Sequence, residues 1–176
     1  MNLARTRPAA SEYAGFRAAY VSSVPDGDIV DVLRQLGRTL DDALATVPES
    51  RAGFRYADGK WSIREVAGHL ADAERIFAYR ALCMARGDAT PLPGFDENAY
   101  AAASNADART LADLRAELLE VRSSTVRLFA SLADDAWLRV GNANGMPVSV
   151  RAIAYITAGH AIHHRRILAE RYAVDA

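Results

Sequence analysis

Apolar residues recur at three- and four-residue intervals in four long stretches of this chain, a spacing that predicts four amphipathic helices. The first runs from Asp28 to Val47, with Ile29, Val32, Leu33, Leu36, Leu40, Leu44 and Val47 on one face and Asp26 or Asp28 as its cap. The second opens at Ser62, where Ser62 and Glu65 fit the S-x-x-E capping box, and runs to about Arg86. Its core stripe is Ile63, Val66, Leu70, Phe77, Ala81 and Met84. The third spans about Thr110 to Ala133 through Leu111, Leu114, Leu118, Val121, Thr125, Leu128 and Leu132, with Thr110 and Asp113 as a weaker capping pair. The fourth extends from Ser149 to about Tyr172.

The intervening stretches are shorter and more irregular. Glu12 to Val24 predicts a short helix or ordered arm through Tyr13, Phe16 and Tyr20, broken by Pro25, Asp26 and Gly27. Pro91, Pro93 and Gly94 make Gly87 to Asn98 an irregular crossover, with Phe95, Asp96 and Glu97 draped over one end of the helices. Leu138 to Val148, rich in Gly and Asn, reads as a loop or small hairpin. The predicted fold class is therefore all-α: a four-helix bundle with an N-terminal arm or short helix and a long crossover loop, forming one domain over residues 1–176 with its core at about 28–172.

Charge and composition narrow the function. Lys and Arg number 21 against 22 Asp and Glu, with no long run of either sign, which argues against a nucleic-acid partner or an anionic membrane surface. No window approaches 18 uncharged apolar residues, so no membrane span is expected, and a cytoplasmic location follows from the absence of a signal-peptide core. The single cysteine, Cys83, excludes an internal disulfide and a thiolate-built zinc cage, and reads as a small packed residue.

The chemistry resides in the histidines. His160 and His164 lie one turn apart on the fourth helix, on the face that carries Ile153, Ile156, Thr157, Ile167 and Leu168. Two neutral imidazoles at that spacing begin a transition-metal site, although the same pattern also suits core histidines with backbone partners. His163 falls at the edge of the stripe, as a supporting or surface residue. A second apolar strip, with Tyr155 and Ile162, calls for cover from the N-terminal arm or from a second copy in a homodimer, the arm being preferred. On the second helix, Glu74 lies within the apolar stripe, where a carboxylate must be paired, protonated or close to a metal. It reads either as an ion pair with an Arg or helix end, or as a general base or partner of a metal-bound imidazole. Asp72 points outward.

Three segments carry a family resemblance. They are the run Gly59-Lys60-Trp61-Ser62-Ile63-Arg64-Glu65-Val66-Ala67-Gly68-His69-Leu70-Ala71-Asp72-Ala73-Glu74-Arg75, the loop Pro91-Leu92-Pro93-Gly94-Phe95-Asp96, and the terminal Gly159-His160-Ala161-Ile162-His163-His164. In order and spacing these resemble the DinB-like superfamily of four-helix metalloproteins, over most of the chain from about Asp28 to Tyr172. The resemblance implies a divalent ion, with zinc, nickel, iron or manganese all plausible, held by His69, His160 and His164. It also implies a low-molecular-weight thiol as co-substrate, and a reaction of the thiol-dependent S-transferase or hydrolase kind on a small electrophilic substrate. Glu74 or Asp96 would handle protons. The alternative from another class is a non-catalytic, stress-associated metal-binding protein whose ion ties the second and last helices together.

Overall fold

The computed structural model describes residues 3–15 and 17–174; Phe16, expected on the N-terminal arm, lies outside them. Two 3-10 turns precede α1 (Arg17–Ser23), and the four expected long helices follow as α2 (Ile29–Ala45), α3 (Ile63–Ala85), α5 (Leu111–Ala130) and α7 (Val150–Tyr172). Two short helices lie between them, α4 (Glu97–Ala103) and α6 (Asp134–Trp137). The caps predicted at Asp28, Ser62 and Thr110 are in place, and Ser149 adds a fourth. Asp28 accepts from Val30 N, Ser62 and Glu65 close a reciprocal capping box, and Thr110 and Ser149 accept from Asp113 N and Ala152 N.

The long helices close a ring in which α2 packs on α5 and α7, and α3 packs on α5 and α7. Consecutive helices α2 and α3 are thus diagonal rather than adjacent, and the α3–α7 seam joins segments far apart in sequence. α1 packs along α7, so the arm covers the strip with Tyr155 and Ile162. The approach is close enough that a Cβ at Gly159 would sit 2.2 Å from the Tyr20 carbonyl oxygen. Glu12 anchors the arm to the start of α7, accepting from Ser149 Oγ at 2.7 Å and from Arg151 Nε at 2.9 Å.

The segment expected as a loop or small hairpin forms a hairpin. Val140–Ala143 (β1) and Met146–Ser149 (β2) pair antiparallel in a two-stranded sheet, with Val140 opposite Ser149 and Ala143 opposite Met146. Asn144 and Gly145 form its turn at φ 55° and 73°, the left-handed conformations that a two-residue hairpin loop demands. The crossover docks on this hairpin: Leu92 N donates to Asn142 O at 3.0 Å and Asn144 N to Leu92 O at 2.9 Å. Among the described residues no helix is long and apolar enough to cross a membrane.

The core falls into two apolar halves. One gathers Ile29, Leu33, Phe129, Trp137 and Ile153; the other gathers Leu44, Ile63, Leu70, Leu114 and Leu168. Between them the bundle helices contribute Gly37, Glu74, Arg122 and His160, a polar layer across the middle of the bundle. Arg122 Nε and Nη2 donate to the two Glu74 oxygens at 2.7 Å each, and Nη1 donates to Leu33 O at 2.9 Å. Gly37 makes room for this side chain, since a Cβ there would lie 2.8 Å from Arg122 Cγ.

Candidate metal centre

His69 on α3 and His160 and His164 on α7 converge at the α3–α7 seam, all three buried. One nitrogen from each lies within 4.8 Å of the others, and the Nε2 atoms of His69 and His160 are 3.0 Å apart. The ring centroids are separated by 5.0 Å (His69–His160), 4.8 Å (His69–His164) and 4.5 Å (His160–His164). The helical rise explains the α7 pair, whose four-residue spacing places both rings on one side. His69 joins them because α3 and α7 are neighbours in the ring.

The rings are fixed by aromatic walls. Trp61, just ahead of α3, lies 4.6 Å from His69 and stacks at 6.4 Å on His164. Its own backbone carbonyl accepts the Tyr172 hydroxyl at 2.7 Å. Phe77 and Tyr20 meet His160 edge-on at 5.5 Å and 5.8 Å. Burial pushes the His69 pKa down to about 4, partly opposed by the Glu97 carboxylate, and that of His164 to about 3, with His69 and His163 adding to the depression. His160 is pushed well below its ordinary value, first by burial and then by the other imidazoles. The three are therefore neutral near pH 7, the form in which imidazole offers a lone pair to a metal.

These residues fit a divalent transition ion. His164 Nδ1 is buried without a hydrogen-bond partner among the described residues. The 3.0 Å between two Nε2 atoms is close to the roughly 3.3 Å that two nitrogens bound tetrahedrally to one zinc ion would keep. No thiolate or carboxylate joins the cluster among the described residues, so the donor set is three neutral nitrogens.

Above the imidazoles opens a cavity of about 290 Å³. α1 contributes Arg17 and Tyr20 to its wall, α3 contributes Phe77 and Arg80, the crossover Gly94 and Phe95, α4 Glu97, and the hairpin turn Asn144. His163, expected at the edge of the stripe, lines it as well. The two carboxylates expected near the chemistry are elsewhere. Glu74 is 3% exposed and held bidentate by Arg122, the ion-pair alternative, and it does not reach the cavity. Asp96 caps α4, accepting from Asn98 N at 2.9 Å and Ala99 N at 3.1 Å. Its neighbour Glu97 faces the cavity instead. The signal for this was the Asp96-Glu97 pair itself, because an Asp committed as a cap hands the next position to the first turn of a helix.

Comparison with known proteins agrees with this fold. The sequence model described as the DinB superfamily matches residues 33–168. Among solved structures, YfiT from Bacillus subtilis, described as a probable metal-dependent hydrolase with an unusual four-helix bundle topology, superposes with a TM-score of 0.74 at 20% identity, covering 84% of this chain and 87% of that one. A mycothiol-dependent maleylpyruvate isomerase superposes with a TM-score of 0.62 at 19% identity, covering 78% of this chain and 58% of that one. Comparison with curated protein sequences finds no significant match.

Proposed function

The chain belongs to the DinB superfamily, and on that premise we propose that it is a divalent-metal-dependent enzyme of the thiol S-transferase or hydrolase kind, acting on a small electrophilic substrate. One observation carries the reading: three neutral imidazoles converge at the base of an open cavity large enough for a small molecule. His69, His160 and His164 are the proposed ligands, and zinc, nickel, iron and manganese all accept such a set. A divalent ion held by these three neutral nitrogens would keep its full charge and would supply the Lewis acidity that makes a water or a low-molecular-weight thiol nucleophilic at neutral pH. The structural neighbours, one described as a hydrolase and one as mycothiol-dependent, support both kinds of chemistry.

The remaining roles belong to the chain's own side chains. Trp61 and Phe77 exclude water from the imidazoles and hold their orientation. Glu97 and His163, the other titratable side chains on the wall beside the two arginines and Tyr20, are positioned to take up and release the proton of an incoming water or thiol. Asp96 serves this by capping the helix that presents Glu97, and Glu74 by pinning Arg122 beneath His160.

The test is turnover by untagged, metal-loaded protein. The expected result is conjugation of a thiol such as mycothiol or bacillithiol to a chlorodinitrobenzene-type electrophile, or hydrolysis of an activated ester, abolished by chelation or by His160→Ala and restored by metal. A second reading is favoured by the fact that the imidazoles bridge α3 and α7: a stress-associated protein in which the ion only ties these helices together. Loss of melting temperature on chelation with no turnover of any pair would select it.

A further inference from the structure

The cavity wall carries two positive charges that the described residues leave unbalanced. Arg17 and Arg80 both face it, and they are buried at 5% and 8% exposure. Arg122, the third buried arginine, has Glu74. Arg17 and Arg80 have no carboxylate at ion-pair distance among the described residues, and their hydrogen bonds go to backbone carbonyls alone. Arg17 donates to Ala143 O at 2.5 Å and to Pro147 O at 3.4 Å, and Arg80 donates to Pro93 O at 2.5 Å. These bonds fasten Arg17 to the hairpin and Arg80 to the crossover, and use few of the five N–H donors of each.

The cost of such an arrangement is high without a ligand. A buried cation with no counter-ion is unfavourable, and two in one cavity repel. Burial lowers the pKa of both, and for Arg80 the Arg17 charge lowers it further, so the two groups sense each other. The opposing charge in the wall is Glu97, which is exposed. A metal ion on the imidazoles would make the cavity more positive still.

We infer that the substrate bears an oxyanionic group, a carboxylate or a phosphate, which is gripped by Arg17 and Arg80 while the rest of the molecule extends to the three imidazoles. Planar guanidinium forks match an oxyanion with paired N–H donors, and forks already fixed by carbonyls lose little freedom on binding it. Arg17 comes from the N-terminal arm, outside residues 33–168 that match the superfamily, whereas Arg80 lies within them on α3. The inference rests on the reading of the cavity as a substrate site.

Calorimetric titration tests it, with succinate, its neutral diamide and inorganic phosphate as probes, in a buffer free of other oxyanions and with metal-free and metal-loaded protein side by side. Succinate or phosphate should bind and the diamide should not, and Arg17→Gln or Arg80→Gln should weaken anion binding at least tenfold with metal content unchanged. Binding of one anion and not the other supports the inference and identifies the group. Equal binding of diacid and diamide, unchanged affinity in both variants, or binding of neither anion at millimolar concentration overturns it. Should the variants fail to fold, the comparison of acid with amide on the wild-type chain decides alone. A protein that holds no metal yet discriminates acid from amide keeps this inference and loses the metal reading; a protein that holds metal without discriminating does the reverse.

Discussion

The Nε2 atoms of His69 and His160 face each other 3.0 Å apart across the α3–α7 seam, although 91 positions separate the two residues in sequence. Without a metal, only one of the two nitrogens can donate to the other, while His164 Nδ1 beside them stays unpartnered among the described residues. A cation shared by one nitrogen of each of the three rings would replace that contact with metal–nitrogen bonds. Untagged protein should therefore hold one equivalent of a divalent transition ion, read by elemental analysis. At a hundredfold excess over Kd the ion should stabilise the fold by about 2.7 kcal/mol, a rise in Tm of roughly 5–10 °C for a chain of this length. His160→Ala should lose both the metal and the rise; a variant that kept them would remove this residue from the ligand set.

Glu74 and Arg122 lie one layer deeper, and their pairing gives a prediction about stability. Both side chains are almost wholly buried, at 3% and 6% exposure. Glu74→Ala strands the guanidinium in the core and should cost about 3–5 kcal/mol. Replacing both residues by Leu should cost far less, because no buried charge is then left without a partner. Urea midpoints of Glu74→Leu, Arg122→Leu and the double Leu variant form the check. Additive losses would show that the pair is not coupled as its geometry demands.

Much of this was legible in the sequence, for reasons that also explain what was not. The long helices follow from a 3.6-residue repeat that the tertiary structure only has to accept, and the caps at Asp28, Ser62 and Thr110 from side chains whose oxygens satisfy the first free N–H groups. The His160–His164 pairing is likewise local. The meeting with His69 depends on ring order in the bundle, which periodicity does not encode. Glu74 was visible as a misplaced charge, but its partner Arg122 sits 48 positions away and nothing in the local pattern marks it. Arg17, Arg80 and Glu97 were missed for a similar reason: each lies on a different element, and only the docking of arm, crossover and hairpin brings them to one cavity.

Burial of neutral imidazoles makes the metal-free fold sensitive to acid. His69 and His164 titrate at about 4 and about 3 in the folded chain, against about 6.5 when unfolded. Below pH 6.5 the unfolded chain takes up protons that the folded one refuses, so stability is complete above about pH 7 and falls as the pH drops toward 4. Between pH 7 and pH 5 the loss should be about 2 kcal/mol for each of these imidazoles. Glu12 and Glu117, whose pKa values lie below the usual carboxylate value, titrate outside that window. Denaturation of chelated protein at the two pH values measures the effect, and His69→Ala with His164→Ala should reduce it, leaving the part contributed by His160 and His163, whose pKa values burial also lowers.

The contact between Gly159 and Tyr20 governs the arm. A side chain at position 159 would meet the Tyr20 backbone at 2.2 Å from O, 2.5 Å from C and 2.7 Å from Cα, atoms that no rotamer change can move. Gly159→Ala should therefore push α1 off α7, at a cost of about 1–3 kcal/mol for overpacking, even though alanine is the better helix former. The bundle should persist, because α2, α3, α5 and α7 close the ring without α1. Displacement of α1 would carry Arg17 and Tyr20 away from the cavity while leaving His69, His160 and His164 in place. The variant should then show faster amide exchange across residues 17–23, unchanged metal stoichiometry and weakened binding of anionic probes. Exchange in α1 as slow as in the wild type would mean that the helices accommodate the methyl group, and that the arm is held more loosely than its backbone contact with Gly159 implies.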